Sequence, residues 1–111
     1  MKIKDILKTT GGRLLSGSRD MDLEPSGIST DSRTIKKGEF FIALKGGRFD
    51  GSTFIEAAFR KGATGAIVER VKPGSLRNGK TVIRVTDSTK ALQDIAASHR
   101  NSFDIPVIAV T

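Results

Sequence analysis

The sequence has no cysteine, no tryptophan, no tyrosine and a single histidine. Without cysteine there are no disulfides, no thiolate zinc sites and no sulfur nucleophile. One histidine cannot build a multi-histidine metal site. The longest apolar run, Ile105 to Val110, contains Pro106. It is far shorter than the roughly 20 residues of a membrane-spanning helix. The first residues, Met1-Lys2-Ile3-Lys4-Asp5-Ile6-Leu7-Lys8, mix charge with apolar side chains. A secretory signal needs an unbroken apolar stretch, which they lack. Aromatic residues are all phenylalanine and make up 5% of the chain. With so few stacking residues, and no RRM-like, KH-like or zinc-finger pattern, the usual nucleic-acid modules are disfavoured.

What remains is a chain of 111 residues, 37% hydrophobic and 28% charged, with a formal charge of +7. That length suits one domain, and the balance is too apolar for a disordered polyelectrolyte. The positive surplus attracts anions, whether nucleic acid, anionic lipid or phosphorylated small molecules. Much of it falls between Ser32 and Lys61, where Arg33, Lys36, Lys37, Lys45, Arg48, Arg60 and Lys61 face only Glu39, Asp50 and Glu56.

Ile3, Ile6 and Leu7 have helical spacing, and Gly11-Gly12 stops that helix. Arg13 to Ser16 and Ile28 to Asp31 read as short strands. Lys36-Lys37-Gly38-Glu39 reads as a tight turn. Phe40 to Leu44 is a continuous apolar run, short enough for a strand covered on both faces. A glycine-rich loop, Lys45 to Gly51, follows it. Thr53 and Glu56 then have the spacing of a capping box, ahead of Ile55, Ala58 and Phe59 on one helical face. Ala66 to Val68 and Val82 to Val85 read as strands. Asp87 or Ser88 caps a helix whose apolar face holds Leu92, Ile95, Ala96, His99 and Phe103. Pro106 to Val110 is a last strand. Strands alternating with helices predict an α/β fold, a small mixed sheet flanked by helices.

Two segments carry candidate chemistry. Lys45-Gly46-Gly47-Arg48-Phe49-Asp50 joins a buried strand to a helix start. Ligands in α/β sheets collect beyond the carboxyl ends of strands, and backbone amides at a helix start favour anions. The same glycines also serve an ordinary tight connection, and the pattern is neither of the familiar glycine-rich phosphate motifs. Thr30-Asp31-Ser32-Arg33 offers two hydroxyls, a carboxylate and a guanidinium. It either reads a polar ring or simply forms a turn, since Asp and Ser bond their own backbone. Arg33 either meets a phosphate or braces the loop by pairing with a carboxylate. His99 has no partner base or nucleophile in evident reach and reads as a structural residue.

Taken in order, these segments resemble the N-terminal domain of the Mur ligases of bacterial peptidoglycan synthesis. The resemblance rests on Ile28-Ser29-Thr30-Asp31-Ser32-Arg33, on Phe40-Phe41, and on Ala43-Leu44-Lys45-Gly46 with Arg48-Phe49-Asp50-Gly51. It continues through Gly62-Ala63, Ala66-Ile67-Val68, Val85-Thr86-Asp87, Lys90-Ala91-Leu92 and Pro106 to Thr111. It is nearest to the branch that adds D-alanyl-D-alanine. Gly47 and Ser52 depart from the family, which often has an acidic residue and a histidine there.

The resemblance implies one substrate-binding domain over residues 1–111. It would hold the UDP-N-acetylmuramoyl part of a UDP-linked muramyl tripeptide. Thr30, Asp31, Ser32 and Arg33 would form one wall of the pocket, and Lys45, Gly46, Gly47, Arg48, Phe49 and Asp50 the other. No catalytic residue, metal ligand or cofactor is implied within these residues. ATP and magnesium would act in central and C-terminal domains of a longer enzyme, which are the expected partners, in the bacterial cytoplasm. No nucleic acid and no membrane span are expected. Two competing expectations are a basic nucleic-acid-binding module, which would bind many sequences in a salt-sensitive way, and a docking domain with no pocket.

Overall fold

A computed structural model describes residues 1–17, 22–46, 49–50, 55–70, 80–100 and 108–109. The elements in chain order are α1 (Ile3–Thr10), β1 (Arg13–Ser16), β2 (Ile28–Ser29), β3 (Phe40–Ile42), β4 (Lys45–Gly46) and β5 (Phe49–Asp50). They continue with α2 (Ile55–Arg60), β6 (Gly65–Val68), β7 (Thr81–Arg84), α3 (Ser88–Arg100) and β8 (Ile108–Ala109). Six strands form one sheet in the order β1-β7-β6-β3-β2-β8. Every pairing in it is parallel except β1 with β7. The expected mixed α/β sheet is therefore present.

Alternation along the strands sorts side chains to two faces. Phe40, Ile42, Ile67 and Ile83 pack with Ile3 and Ile6 of α1 and with Ala91, Leu92 and Ile95 of α3. Phe41, Ala66, Val68 and Val82 pack with Ile55, Ala58 and Phe59 of α2. This gives three layers, two helices on one face and one on the other. Phe40 to Ala43 is buried throughout, as its unbroken apolar run requires.

The helix boundaries follow local chemistry. The Asp5 carboxylate accepts the Lys2 N–H at 3.0 Å at the start of α1. At its end the Thr10 hydroxyl donates to the Ile6 carbonyl and accepts the Gly12 N–H. Gly11 then takes a left-handed conformation, φ 67°, which glycine adopts without a Cβ penalty. Asp87 caps α3 by accepting the Lys90 N–H at 3.0 Å. The Glu69 carboxylate adds a second clamp, accepting both the Ser88 N–H at 2.8 Å and its hydroxyl at 2.7 Å. β1 carries an irregularity: Leu14 pairs with Ile83 and Ser16 with Val82, which leaves Leu15 as an extra residue.

Candidate functional site

β2 and β3 are parallel neighbours, with Ile28 opposite Phe40 and Ser29 opposite Phe41. Their carboxyl ends therefore lie at one edge of the sheet. Thr30-Asp31-Ser32-Arg33 leaves the first end. The Lys45-to-Asp50 segment leaves the second, three residues beyond Ile42. The structure thus brings the two sequence-predicted walls to adjacent strand ends.

The second wall is not the plain loop read from its glycines. Lys45 pairs with Asp50 and Gly46 with Phe49, antiparallel, so the segment is a short hairpin of β4 and β5. Gly47 and Arg48, between its strands in sequence, lie outside the described residues, as do Ser52 and Thr53. A strand of two residues gives no alternation to detect, and its glycines read as a turn.

The first wall is a turn braced by its own side chains. The Thr34 N–H donates to the Asp31 carbonyl at 3.3 Å. The Asp31 N–H donates to the Ser29 hydroxyl at 3.1 Å. Asp31 Oδ1 accepts the Arg33 N–H at 2.8 Å and its Nε–H at 3.1 Å, while Oδ2 accepts Nη2 at 3.2 Å. The Arg33 guanidinium at this carboxylate holds the Asp31 pKa below its ordinary range and raises its own. Arg33 is 85% exposed all the same, so the pair sits at the surface. Of the two readings of Arg33, the geometry shows the bracing one. Ser32 is different. It is only 8% exposed, and its hydroxyl makes no hydrogen bond among the described residues. Buried hydroxyls normally find a partner.

Lys61, just past α2, was not among the sequence-predicted site residues. Its Nζ donates to the Arg33 carbonyl at 2.6 Å. That ties the end of α2 to the turn, across 28 residues of sequence. The charge surplus from Ser32 to Lys61 was the only signal pointing at it. Among the described residues, no group of three His, Asp or Glu side chains converges to hold a metal ion.

Residues 24–100 match the sequence profile described as "Mur ligase family, catalytic domain". The chain belongs to the Mur ligase family. It is 40% identical over 92 residues to the UDP-N-acetylmuramoyl-tripeptide–D-alanyl-D-alanine ligase of Synechocystis sp., covering 81% of this chain and 20% of that one. It is 36% identical over 98 residues to the UDP-N-acetylmuramoyl-L-alanyl-D-glutamate–2,6-diaminopimelate ligase of Bacteroides fragilis, covering 88% of this chain and 20% of that one. Among solved structures, the D-alanyl-D-alanyl ligase of Acinetobacter baumannii superposes with a TM-score of 0.75 at 29% identity. That match covers 90% of this chain and 21% of the other. The Mur ligase chain described here thus spans about a fifth of the length of its curated relatives. Ligases of two amine specificities resemble it about equally.

Proposed function

We propose that this Mur ligase family chain is the domain that anchors the UDP-N-acetylmuramoyl end of a muramyl-peptide substrate. The longer enzyme would be an ATP-dependent ligase that adds D-alanyl-D-alanine. The observation that carries this reading is the placement of Thr30–Arg33 and Lys45–Asp50 at the carboxyl ends of adjacent parallel strands. Family membership gives that crevice its ligand class.

In this reading the buried Ser32 hydroxyl is the hydrogen-bonding group that the nucleotide satisfies. Asp31 and Arg33 are committed to each other and hold the turn in shape. The Lys45-to-Asp50 segment would contribute backbone amides toward the uracil or the pyrophosphate, with Lys45 and Arg48 as its positive charges. The domain performs no bond-making step. Its contribution is positional, since binding energy from a remote handle orients the reacting peptide end. ATP and magnesium are assigned to none of these 111 residues. The Ala43-Leu44-Lys45-Gly46…Arg48-Phe49-Asp50-Gly51 pattern favours the dipeptide-adding branch over the diaminopimelate-adding one.

The test is an amide chemical-shift titration with UDP-N-acetylmuramic acid, ADP and a short DNA duplex. Localised shifts at Ser32, Arg33 and Gly46 to Asp50 with the uridine ligand alone are the expected result. Equal response to ADP, or shifts only at other residues, overturns the assignment. Ser32→Ala weakens uridine-ligand binding roughly tenfold, the cost of one lost hydrogen bond in a dry site.

A further inference from the structure

The opposite edge of the sheet has a chemistry of its own. β3, β6 and β7 are consecutive parallel neighbours, so their amino-terminal ends lie side by side. Each is preceded by basic residues: Lys36 and Lys37 before β3, Arg60 and Lys61 before β6, Lys80 directly before β7. These segments touch. The Gly38 N–H donates to the Gly62 carbonyl at 3.0 Å. A Cβ placed on Gly62 would lie 3.0 Å from the Lys37 Cα. Lys80 Nζ donates to the Ala63 carbonyl at 2.7 Å and lies 5.6 Å from the centre of the Phe59 ring. With strands about 4.8 Å apart, the three starts span roughly 10 Å.

None of these five cations forms an ion pair among the described residues. Lys80 donates to a carbonyl, and Lys61 donates to the Arg33 carbonyl while its charge also reaches the Asp31 carboxylate. The nearby Glu39 carboxylate is buried and turned to the backbone, accepting the Lys36 N–H at 2.7 Å. Lys36, Lys37, Arg60 and Lys61 are exposed. The result is a cationic rim on the ends of three strands.

From this geometry we infer that the rim docks the domain onto an anionic lipid surface. Two features favour lipid over nucleic acid. Four of the five cations are lysines, flexible point charges suited to diffuse anionic surfaces, where nucleic-acid readers favour the arginine fork. Among the described residues the rim exposes no aromatic ring for stacking on bases, Phe59 being buried. The inference stands on the rim alone and does not depend on the ligand read at the other edge.

The experiment is sedimentation of the 111-residue chain with vesicles of phosphatidylglycerol and phosphatidylcholine in equal parts, and with phosphatidylcholine alone. Binding to the anionic vesicles only, weakened by added salt, is expected. Each cation near such a surface contributes roughly fivefold. The triple variant K36A/K37A/R60A, which removes three exposed side chains without an ion pair among the described residues, therefore binds on the order of 100-fold more weakly. Its amide spectrum checks that it is folded. The control R13A/R84A removes two cations from the other end of β7 and changes binding by less than about threefold. Charge reversal by K36E/K37E serves if the triple variant is unstable. Absence of binding to anionic vesicles at low salt overturns the inference. So does equal loss in the control, or tighter binding to a DNA duplex than to the vesicles.

Discussion

Asp31 and Arg33 show how two readings of one tetrapeptide divide between its residues. The sequence left Thr30-Asp31-Ser32-Arg33 open as a turn or as a ligand reader. The structure spends Asp31 and Arg33 on the turn, through three hydrogen bonds between them. Ser32 is left buried, its hydroxyl without a hydrogen bond among the described residues. The turn was legible because aspartate bonds its own downstream amide. The burial of Ser32 was not legible, since nothing in the tetrapeptide distinguishes it from an exposed turn serine. The pair has a pH signature. Asp31 has a folded-state pKa below its ordinary 3.8, so what it adds to the fold is present above that value. It is lost as pH falls through the lower, folded-state pKa. A carboxyl-carbon NMR titration finds the Asp31 midpoint below 3.8, and Arg33→Ala moves it upward. A wild-type midpoint at or above 3.8 would show that the pair does not persist in solution.

At the level of elements, what the sequence showed tracks length and locality. Phe40 to Leu44 announced itself as a doubly covered strand by an unbroken apolar run; the strand itself is Phe40–Ile42, with Ala43 also buried and Leu44 only half-buried. The Asp87 cap was visible as well, because its bond to Lys90 spans three residues. Clamping of Ser88 by Glu69 was not, because it joins residues 19 apart. The hairpin of β4 and β5 was missed because two-residue strands carry no period. Gly65 in β6 illustrates a constraint of strand packing. A Cβ there would sit 2.7 Å from two Phe40 ring atoms and 2.7 Å from the Thr81 carbonyl oxygen. The backbone neighbour cannot rotate away, and Phe40 is fully buried. Gly65→Ala is therefore expected to cost about 1–3 kcal/mol. Thermal melting should drop by at least about 4 °C, and an unchanged melting temperature would show that the sheet yields more easily than its packing implies.

Across the whole molecule, the candidate ligand-binding segments start from carboxyl ends of β2 and β3 while cations gather where β3, β6 and β7 begin, and Lys61 links the two by donating to the Arg33 carbonyl. Alternation of helices and strands predicted the layers, but only the strand order reveals which basic residues stand together. Lys37, Arg60 and Lys80 are scattered in sequence and adjacent at the sheet. If the carboxyl edge binds the uridine ligand, binding also stabilises the entire fold. At 100 times the dissociation constant the gain is about 2.7 kcal/mol. A melting curve with UDP-N-acetylmuramic acid shifts upward accordingly, whereas an unshifted curve at saturation contradicts the reading.

The irregularity in β1 has a bearing on how these molecules treat one another. A regular outer strand offers its free amides and carbonyls as a template, and concentrated chains can join there edge to edge. Leu15, the extra residue, breaks that repeat and increases the local twist. An incoming strand meets donors and acceptors that fall out of step after two residues, so this side of the sheet discourages self-association while its neighbour β7 stays fully paired.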